Sequence, residues 1–440
     1  MKKSLLAVAA IGAFASAAQA QSSVTVYGIL DVGYIGGSAR ATSNASTANG
    51  GNTKVTVNKF GESAETTSRL GFKGTEDMGG GTSAFFTAEF QLYPSDQQLS
   101  GNNTAGGTTG GLLNRQTFVG LKKNGIGQTA IGTQYTPVFN AGTATNPNGQ
   151  NNMIGDLVYA GAPEVAQFGG QAAGALSNSQ TNRTSNTLSV QSDKFGGFTA
   201  NAMYTLNNNN QSAVNNQYGQ TTVGGNTNAS GWGLGADYTL NKFYVAAAYQ
   251  SLKQLTTVGN YSYVNSSGVT VFGVTPQVWK DAQPAPGTGT SAASTAIQST
   301  GAAVNVQDNQ FLAGATYDFG ILKAYAQYIS RKATATSSTN YFMKRSAEQI
   351  GVRSYITPTI EAWASGSLGR YTAAGVNTPT VNMNAWQLGS NYYLSKRTNL
   401  YAIYGQQIIS TGSAYVNGAT TASTGSGSAS NYAIGVRHTF

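Results

Sequence analysis

One pattern constrains this chain more than any other. Short stretches alternate apolar and polar residues with a period of two, and they recur from end to end without one long apolar run after the first twenty residues. In Ser23–Tyr34 the even positions are Val24, Val26, Gly28, Leu30, Val32 and Tyr34. The odd positions are Ser23, Thr25, Tyr27, Ile29, Asp31 and Gly33. Side chains of a strand point alternately to opposite faces. One face is therefore apolar and the other mostly polar, with an acid on it. A strand of this length can cross a bilayer when tilted.

The alternation returns in pairs separated by tight turns. Ser68–Glu76 turns into Thr82–Leu92, Arg115–Lys122 into Gln128–Tyr135, and Asn186–Ser192 into Phe198–Leu206. Trp232–Leu240 leads to Phe243–Ser251, Phe311–Asp318 to Leu322–Arg331, Gln349–Ile356 to Ile360–Tyr371, and Ala385–Leu394 to Asn399–Gln407. Asn431–Phe440 closes the chain. An opening strand, seven hairpins and a closing strand make sixteen, an even number as bacterial single-chain barrels have. The connections between pairs, near 35–67, 93–114, 136–182, 207–228, 252–308, 332–345, 372–382 and 408–429, are long and rich in Ser, Thr, Asn and Gly. Short turns at one end and long loops at the other match the periplasmic and extracellular ends of an outer-membrane barrel.

Composition excludes most other classes. Only 9% of residues are charged, against about 25% in a typical soluble domain. No Cys is present, so disulfide scaffolds, thiol catalysis and Cys metal sites are excluded. His438 is the single histidine, which removes most Ser-His-Asp and His-metal chemistry. Its parity with Ile434, Val436 and Phe440 turns it outward. Lys2 and Lys3, an apolar stretch from Leu5 to Ala18 and the small-x-small end Ala18-Gln-Ala20 read as a cleaved secretory signal over 1–20. Residues 21–440 then form one barrel domain. Losing two of the 25 basic residues against 16 acids leaves a mature charge of +7. Aromatics near strand ends, among them Tyr34, Phe195, Phe198, Tyr238, Phe243, Tyr317, Phe319, Tyr371, Tyr392, Tyr393 and Phe440, suggest interfacial girdles. A secreted β-protein is the competing class; strand count, strand length and loop asymmetry favour the all-β transmembrane barrel.

Thr25-Val-Tyr-Gly-Ile-Leu-Asp31, Ser68-Arg-Leu-Gly-Phe-Lys-Gly-Thr-Glu-Asp77, Asn114-Arg-Gln-Thr-Phe-Val-Gly-Leu121, Gly132-Thr-Gln-Tyr-Thr-Pro137 and Ile434-Gly-Val-Arg-His-Thr-Phe440 resemble the general diffusion porins of Gram-negative outer membranes, in their β-proteobacterial branch. The resemblance implies a 16-stranded antiparallel barrel, a homotrimer, and a third loop, here about Thr136 to Ala175, folded into the lumen. It implies a basic wall at the constriction: Arg69 and Lys73, on the lumen parity of their strand, with Arg115 and Arg183. Arg115 shares parity with outward Val119 and Leu121, so a bulge or a locally apolar lumen is required there. Asp156 and Glu164 are the acids of the third loop, and Glu89 is a further acid on lumen parity. Pro163-Glu164 followed by Phe168-Gly-Gly170 resembles the family's loop tip, with Val165-Ala-Gln intervening.

The function expected is passive diffusion of small hydrophilic solutes and ions, with a modest anion preference because basic residues outnumber acids at the pore. A substrate-selective porin, or a barrel whose surface loops act as an adhesin, are the alternatives; an enzyme is disfavoured. Implied partners are outer-membrane lipid and lipopolysaccharide, and the assembly machinery, which reads the terminal pattern ending at Phe440. Neither cofactor, metal nor nucleic acid is expected.

Overall fold

In the computed structural model, residues 23–42, 52–96, 99, 112–159, 183–211, 214–215, 221–222, 225–256, 261–264, 270–273, 306–335, 342–373, 380–412 and 425–440 are described. The proposed signal over 1–20 lies outside them. Strand β1 is Ser23–Thr42 and β2 runs in two segments, Asn52–Glu62 and Arg69–Gly79. Then come β3 (Thr82–Gln91), β4 (Asn114–Lys123), β5 (Gly127–Tyr135), helix α1 (Pro137–Thr145), β6 (Arg183–Ser192), β7 (Phe198–Gln211) and β8 (Gly225–Leu240). They are followed by β9 (Phe243–Thr256), β10 (Val306–Asp318), β11 (Lys323–Ala335), β12 (Phe342–Thr357), β13 (Ile360–Ala373), β14 (Thr380–Tyr393), β15 (Thr398–Gly412) and β16 (Gly425–Thr439).

Each strand pairs antiparallel with the next, and β16 pairs with β1 from Ile29–Thr439 to Thr42–Ser426. The sheet has 17 segments. Two of them are successive pieces of β2, both paired with β1, so the closed barrel has sixteen staves. Phe440 completes the seam: Gly28 N donates to Phe440 O at 3.0 Å and Phe440 N donates to Gly28 O at 3.1 Å. A Cβ on Gly28 would collide with the Phe440 ring.

The outward faces are apolar and exposed, as with Val24, Val26, Val119, Ile131, Val190, Leu234, Leu388 and Ile434. Such a surface is stable against lipid, where no water competes for it. Phe195, Phe198, Tyr238, Phe243, Tyr317, Phe319, Tyr355 and Tyr392 form an exposed belt near the tight turns. A second belt includes Tyr34, Phe60, Trp232, Tyr249, Trp386 and Tyr404. Tyr371 and Tyr393 do not join either belt. Tyr371 packs on the lumen cluster and Tyr393 OH donates to Glu361 Oε2 at 2.8 Å. The turns carry their own logic. Gly79, Gly80 and Gly81 have positive φ (83°, 59°, 74°), and Asp77 Oδ1 accepts from Gly79 N at 2.9 Å.

The expected loop over 35–67 is largely strand. Ile35–Thr42 and Asn52–Glu62 form a paired extension of β1 and β2. Its sequence reads as loop because Gly, Ser, Thr and Asn interrupt the alternation and only Val55, Val57 and Phe60 are large apolar residues in its second strand. The break between the β2 segments is held from β1. Asp31, fully buried, accepts from Glu65 N at 2.9 Å, Thr66 N at 2.6 Å and Tyr401 OH at 2.6 Å, while Ser63 takes a positive φ of 60°. This six-residue inturn, 63–68, sits inside the barrel.

Deleting Phe440 removes two seam hydrogen bonds, together about 1–3 kcal/mol, and the ring covering Gly28. The heat-modifiable folded form should fall in yield, read as the fast-migrating band in unheated gels. An unchanged band would show that β16 closes without its last residue.

Candidate pore constriction

The third loop begins with a helix that alternation does not reveal. Thr136 caps α1, its Oγ1 accepting from Phe139 N at 3.1 Å, and Pro137 opens the first turn. Both are ordinary start signals, since Pro lacks the donor that an N-terminus leaves unpaired. Val138 and Ala141 on α1, with Leu157 and Val158 further along, pack on Ala246, Ala248, Leu312, Ile329, Ala347, Met383 and Ala385. These wall residues lie on β9, β10, β11, β12 and β14. The barrel's main apolar core is therefore the seat of this loop, inside the lumen.

Glycines complete the seat. A Cβ on Gly351 would lie 2.7 Å from Pro147 Cβ, and one on Gly369 would lie 3.2 Å from Leu157 Cδ1. On Gly405 it would collide with Ile154 O. Amides then fix the irregular stretch after α1. Asn151 Nδ2 donates to Gln387 Oε1 at 2.6 Å, and Gln387 Nε2 returns a bond to Asn151 Oδ1 at 3.0 Å and to Ile154 O at 2.9 Å. Arg345 Nη1 donates to Leu157 O at 2.9 Å and Ser367 Oγ to Gly155 O at 3.1 Å. Asn152 ties the loop to the inturn, donating from Nδ2 to Ser63 O at 2.6 Å and from N to Ala64 O at 3.1 Å.

Facing this loop, the walls of β2 to β6 carry the basic cluster. Arg115 Nε donates to Glu89 Oε1 at 2.8 Å, and Arg69 Nη1 lies 3.6 Å from the same oxygen. Arg115 Nη2 donates to Tyr135 OH at 3.2 Å, Tyr27 OH donates to Glu89 Oε2 at 3.2 Å, and the Arg183 guanidinium carbon stands 5.9 Å from the Tyr135 ring centroid. Thr67 O accepts from Arg69 Nε at 2.9 Å, so the inturn aims Arg69. The Arg115 parity conflict resolves as a bulge. Glu89 pairs with Gln116 and Phe90 with Asn114, leaving Arg115 as the extra residue. It turns inward, 7% exposed, while Val119 and Leu121 stay outward. A second register shift, between Gly132–Thr187 and Gln134–Thr184, precedes the Tyr135–Arg183 pair.

Three sequence candidates fall elsewhere than a two-sided constriction suggests. Glu89 stands within the basic wall instead of across from it, because the buried guanidinium of Arg115 and the half-buried one of Arg69 need a counter-ion. Lys73 is four residues from Arg69 along β2, about 13 Å at strand rise, and its Nζ lies 5.4 Å from the Tyr27 ring centroid. Asp156 is turned into the loop, accepting from Asn146 Nδ2, from Val158 N at 2.8 Å and from Tyr159 N at 2.8 Å. Burial pushes its carboxyl up, against these hydrogen bonds and the Arg345 charge, which hold it down. Glu164 and the Phe168-Gly-Gly170 stretch lie outside the described residues.

Several lumen residues carry structure that sequence reasoning did not single out. Arg331 Nη2 and Asp308 Oδ2 form a fully buried pair at 2.7 Å. Arg353 Nε meets Glu361 Oε1 at 2.9 Å, and Arg437 Nη1 lies 3.4 Å from Glu65 Oε1. Apart from Glu65, which stands in the inturn, each charge sits on lumen parity, which was the available signal; the pairings join segments that alternation cannot bring together.

A family model described as Gram-negative porin matches residues 7–412. An outer membrane porin protein of Bordetella pertussis is 27% identical over 100% of both chains. Outer membrane porin protein 32 of Delftia acidovorans is 33% identical over 46% of this chain and 49% of its own length, so the chain matches about half of that relative. The anion-selective porin from Comamonas acidovorans superposes with a TM-score of 0.59 at 20% identity, covering 96% of this chain and 100% of that one.

Gly405→Val places a branched side chain against Ile154 O; overpacking of this kind costs about 1–3 kcal/mol. The third loop should leave its seat and the single-channel conductance should rise, with the barrel still heat-modifiable. Unchanged conductance would mean that the loop is held without this contact.

Proposed function

The chain belongs to the Gram-negative porin family, and from that premise we propose that its conduction is weakly anion-selective, set by Arg69, Arg115 and Arg183 on one wall of the constriction. The protein is an outer-membrane diffusion channel for small hydrophilic solutes and ions, and not an enzyme. One observation carries the selectivity: on the wall facing the third loop Arg69 and Arg115 share the single carboxylate of Glu89, and a third guanidinium, Arg183, stands beside the Tyr135 ring. Arginine stays charged at any relevant pH. The surplus of positive charge raises the local concentration of anions, and bases lining a pore favour their passage.

The roles divide by position. Arg115, buried and bonded to Glu89 and Tyr135, fixes the cluster. Arg69 and Arg183 supply the surplus charge. Lys73 adds a positive charge on the lumen path below them. Asp156 acts by shaping the loop, and the charge of Glu164 moderates the preference. The name of the Comamonas neighbour, an anion-selective porin, agrees with this reading. We further propose a homotrimer, contact with lipid and lipopolysaccharide at the outward face, cleavage of the signal after Ala20, and recognition of the strand ending in Phe440 by the assembly machinery.

Reversal potentials across a KCl gradient test the charge argument. Wild type should show a chloride-weighted potential. Arg69→Gln should move it toward the cation side, and Glu89→Gln further toward chloride, both effects shrinking at high salt as screening shortens. A cation-weighted wild type would overturn the proposal. Chemical cross-linking in detergent should give a ladder ending at three copies, and a ladder ending at one would overturn the trimer.

A further inference from the structure

We propose that the constriction carries a subsite for arene carboxylates, built from the rings of Tyr135, Phe139 and Tyr159 beside the guanidinium groups of Arg115 and Arg183. The inference rests on the channel reading above and names a solute class for it.

The three rings come from three places in the chain and meet in the lumen. Tyr135 ends β5, Phe139 stands in the first turn of α1, and Tyr159 follows the loop's return. Tyr135 and Phe139 stack, with centroids 4.4 Å apart and planes 26° apart. Phe139 and Tyr159 meet at 6.1 Å with planes tilted by 56°. All three are half-buried, so each keeps part of its ring toward the lumen. A row of apolar ring surface is unexpected on the wall of an aqueous pore, where neighbouring positions are polar.

The row is rigid. The Thr136 cap holds Phe139 N, Arg115 holds the Tyr135 hydroxyl, and Asp156 Oδ1 holds Tyr159 N. A ligand therefore meets little ordering cost on the protein side. The anion end of the site is the Arg183 guanidinium. Arg183 Nη1 is buried and, among the described residues, has no hydrogen-bond partner, whereas its guanidinium lies beside the Tyr135 ring. A buried donor without an acceptor is costly, and a carboxylate would satisfy it. A planar anion can bind its charged end at Arg183 and lay its ring along Phe139 and Tyr159. A saturated carboxylate of the same charge gains the ionic part alone. Ring–ring contact adds a preference of about three- to ten-fold.

The test uses full-length protein in planar bilayers. The chloride current is measured against rising sodium benzoate, then against sodium cyclohexanecarboxylate, which has the same charge and nearly the same bulk without a π face. Half-block by benzoate should occur at a concentration about three- to ten-fold lower. Phe139→Leu and Tyr159→Leu, each confirmed as folded by heat-modifiability, should bring the ratio of the two toward one. Equal block of the wild type by both anions would overturn the subsite, as would a ratio that neither variant changes. Absence of chloride current from folded wild type would instead overturn the channel reading itself.

Discussion

Lipid offers no hydrogen bonds, so a sheet crossing it must pair every main-chain N–H and C=O with itself. Everything else in this molecule is arranged around that closure. The β1–β16 seam runs over fourteen residue pairs, and the last residue of the chain bonds back to Gly28 on the first strand. Because the ladder is complete, the outward positions are free to be apolar and the inward positions to be polar. Because it is closed, the lumen is a bounded space in which a loop can be packed.

That loop inverts the usual location of a core. A soluble domain hides its apolar face between layers. Here the apolar side chains that are removed from both water and lipid lie between the third loop and a strip of Ala, Leu, Ile and Met on the inner wall. Glycines let the loop backbone approach, and paired amides such as Asn151 and Gln387 satisfy it. The inturn anchored on Asp31 braces the same loop through Asn152 and aims Arg69 through Thr67 O. Loop position and wall charge are thus mechanically linked, and the width of the pore and its field come from one connected set of contacts.

Electrostatics inside the barrel is mostly compensated. Arg331 with Asp308 and Arg353 with Glu361 are ion pairs across strands, and Arg437 pairs with Glu65 of the inturn. Breaking one partner of a buried pair costs about 3–5 kcal/mol, a cost that applies to the fully buried Arg331–Asp308 pair. The cluster of Arg69, Arg115, Arg183 and Glu89 differs in carrying more positive than negative charge. The rings of Tyr135, Phe139 and Tyr159 adjoin it.

Alternation with a period of two was enough to determine the strands, their sidedness and their number, because it reports a local geometric fact: which face each residue occupies. It also located Arg69 and Glu89 on the lumen and exposed the contradiction at Arg115. Only the tertiary structure decided that contradiction, since a bulge depends on the register of two strands at once. The same holds for the extension of β2 over Asn52–Glu62, where Val55, Val57 and Phe60 are too few among polar residues to mark a strand. Helix α1 had its cap and proline in plain view, yet its role depends on an inner wall drawn from strands far away in sequence. The pairing of Glu89 with the arginines, and the burial of Asp156 within its own loop, are distances between segments. Composition and periodicity contain no such distances; closing the barrel creates them.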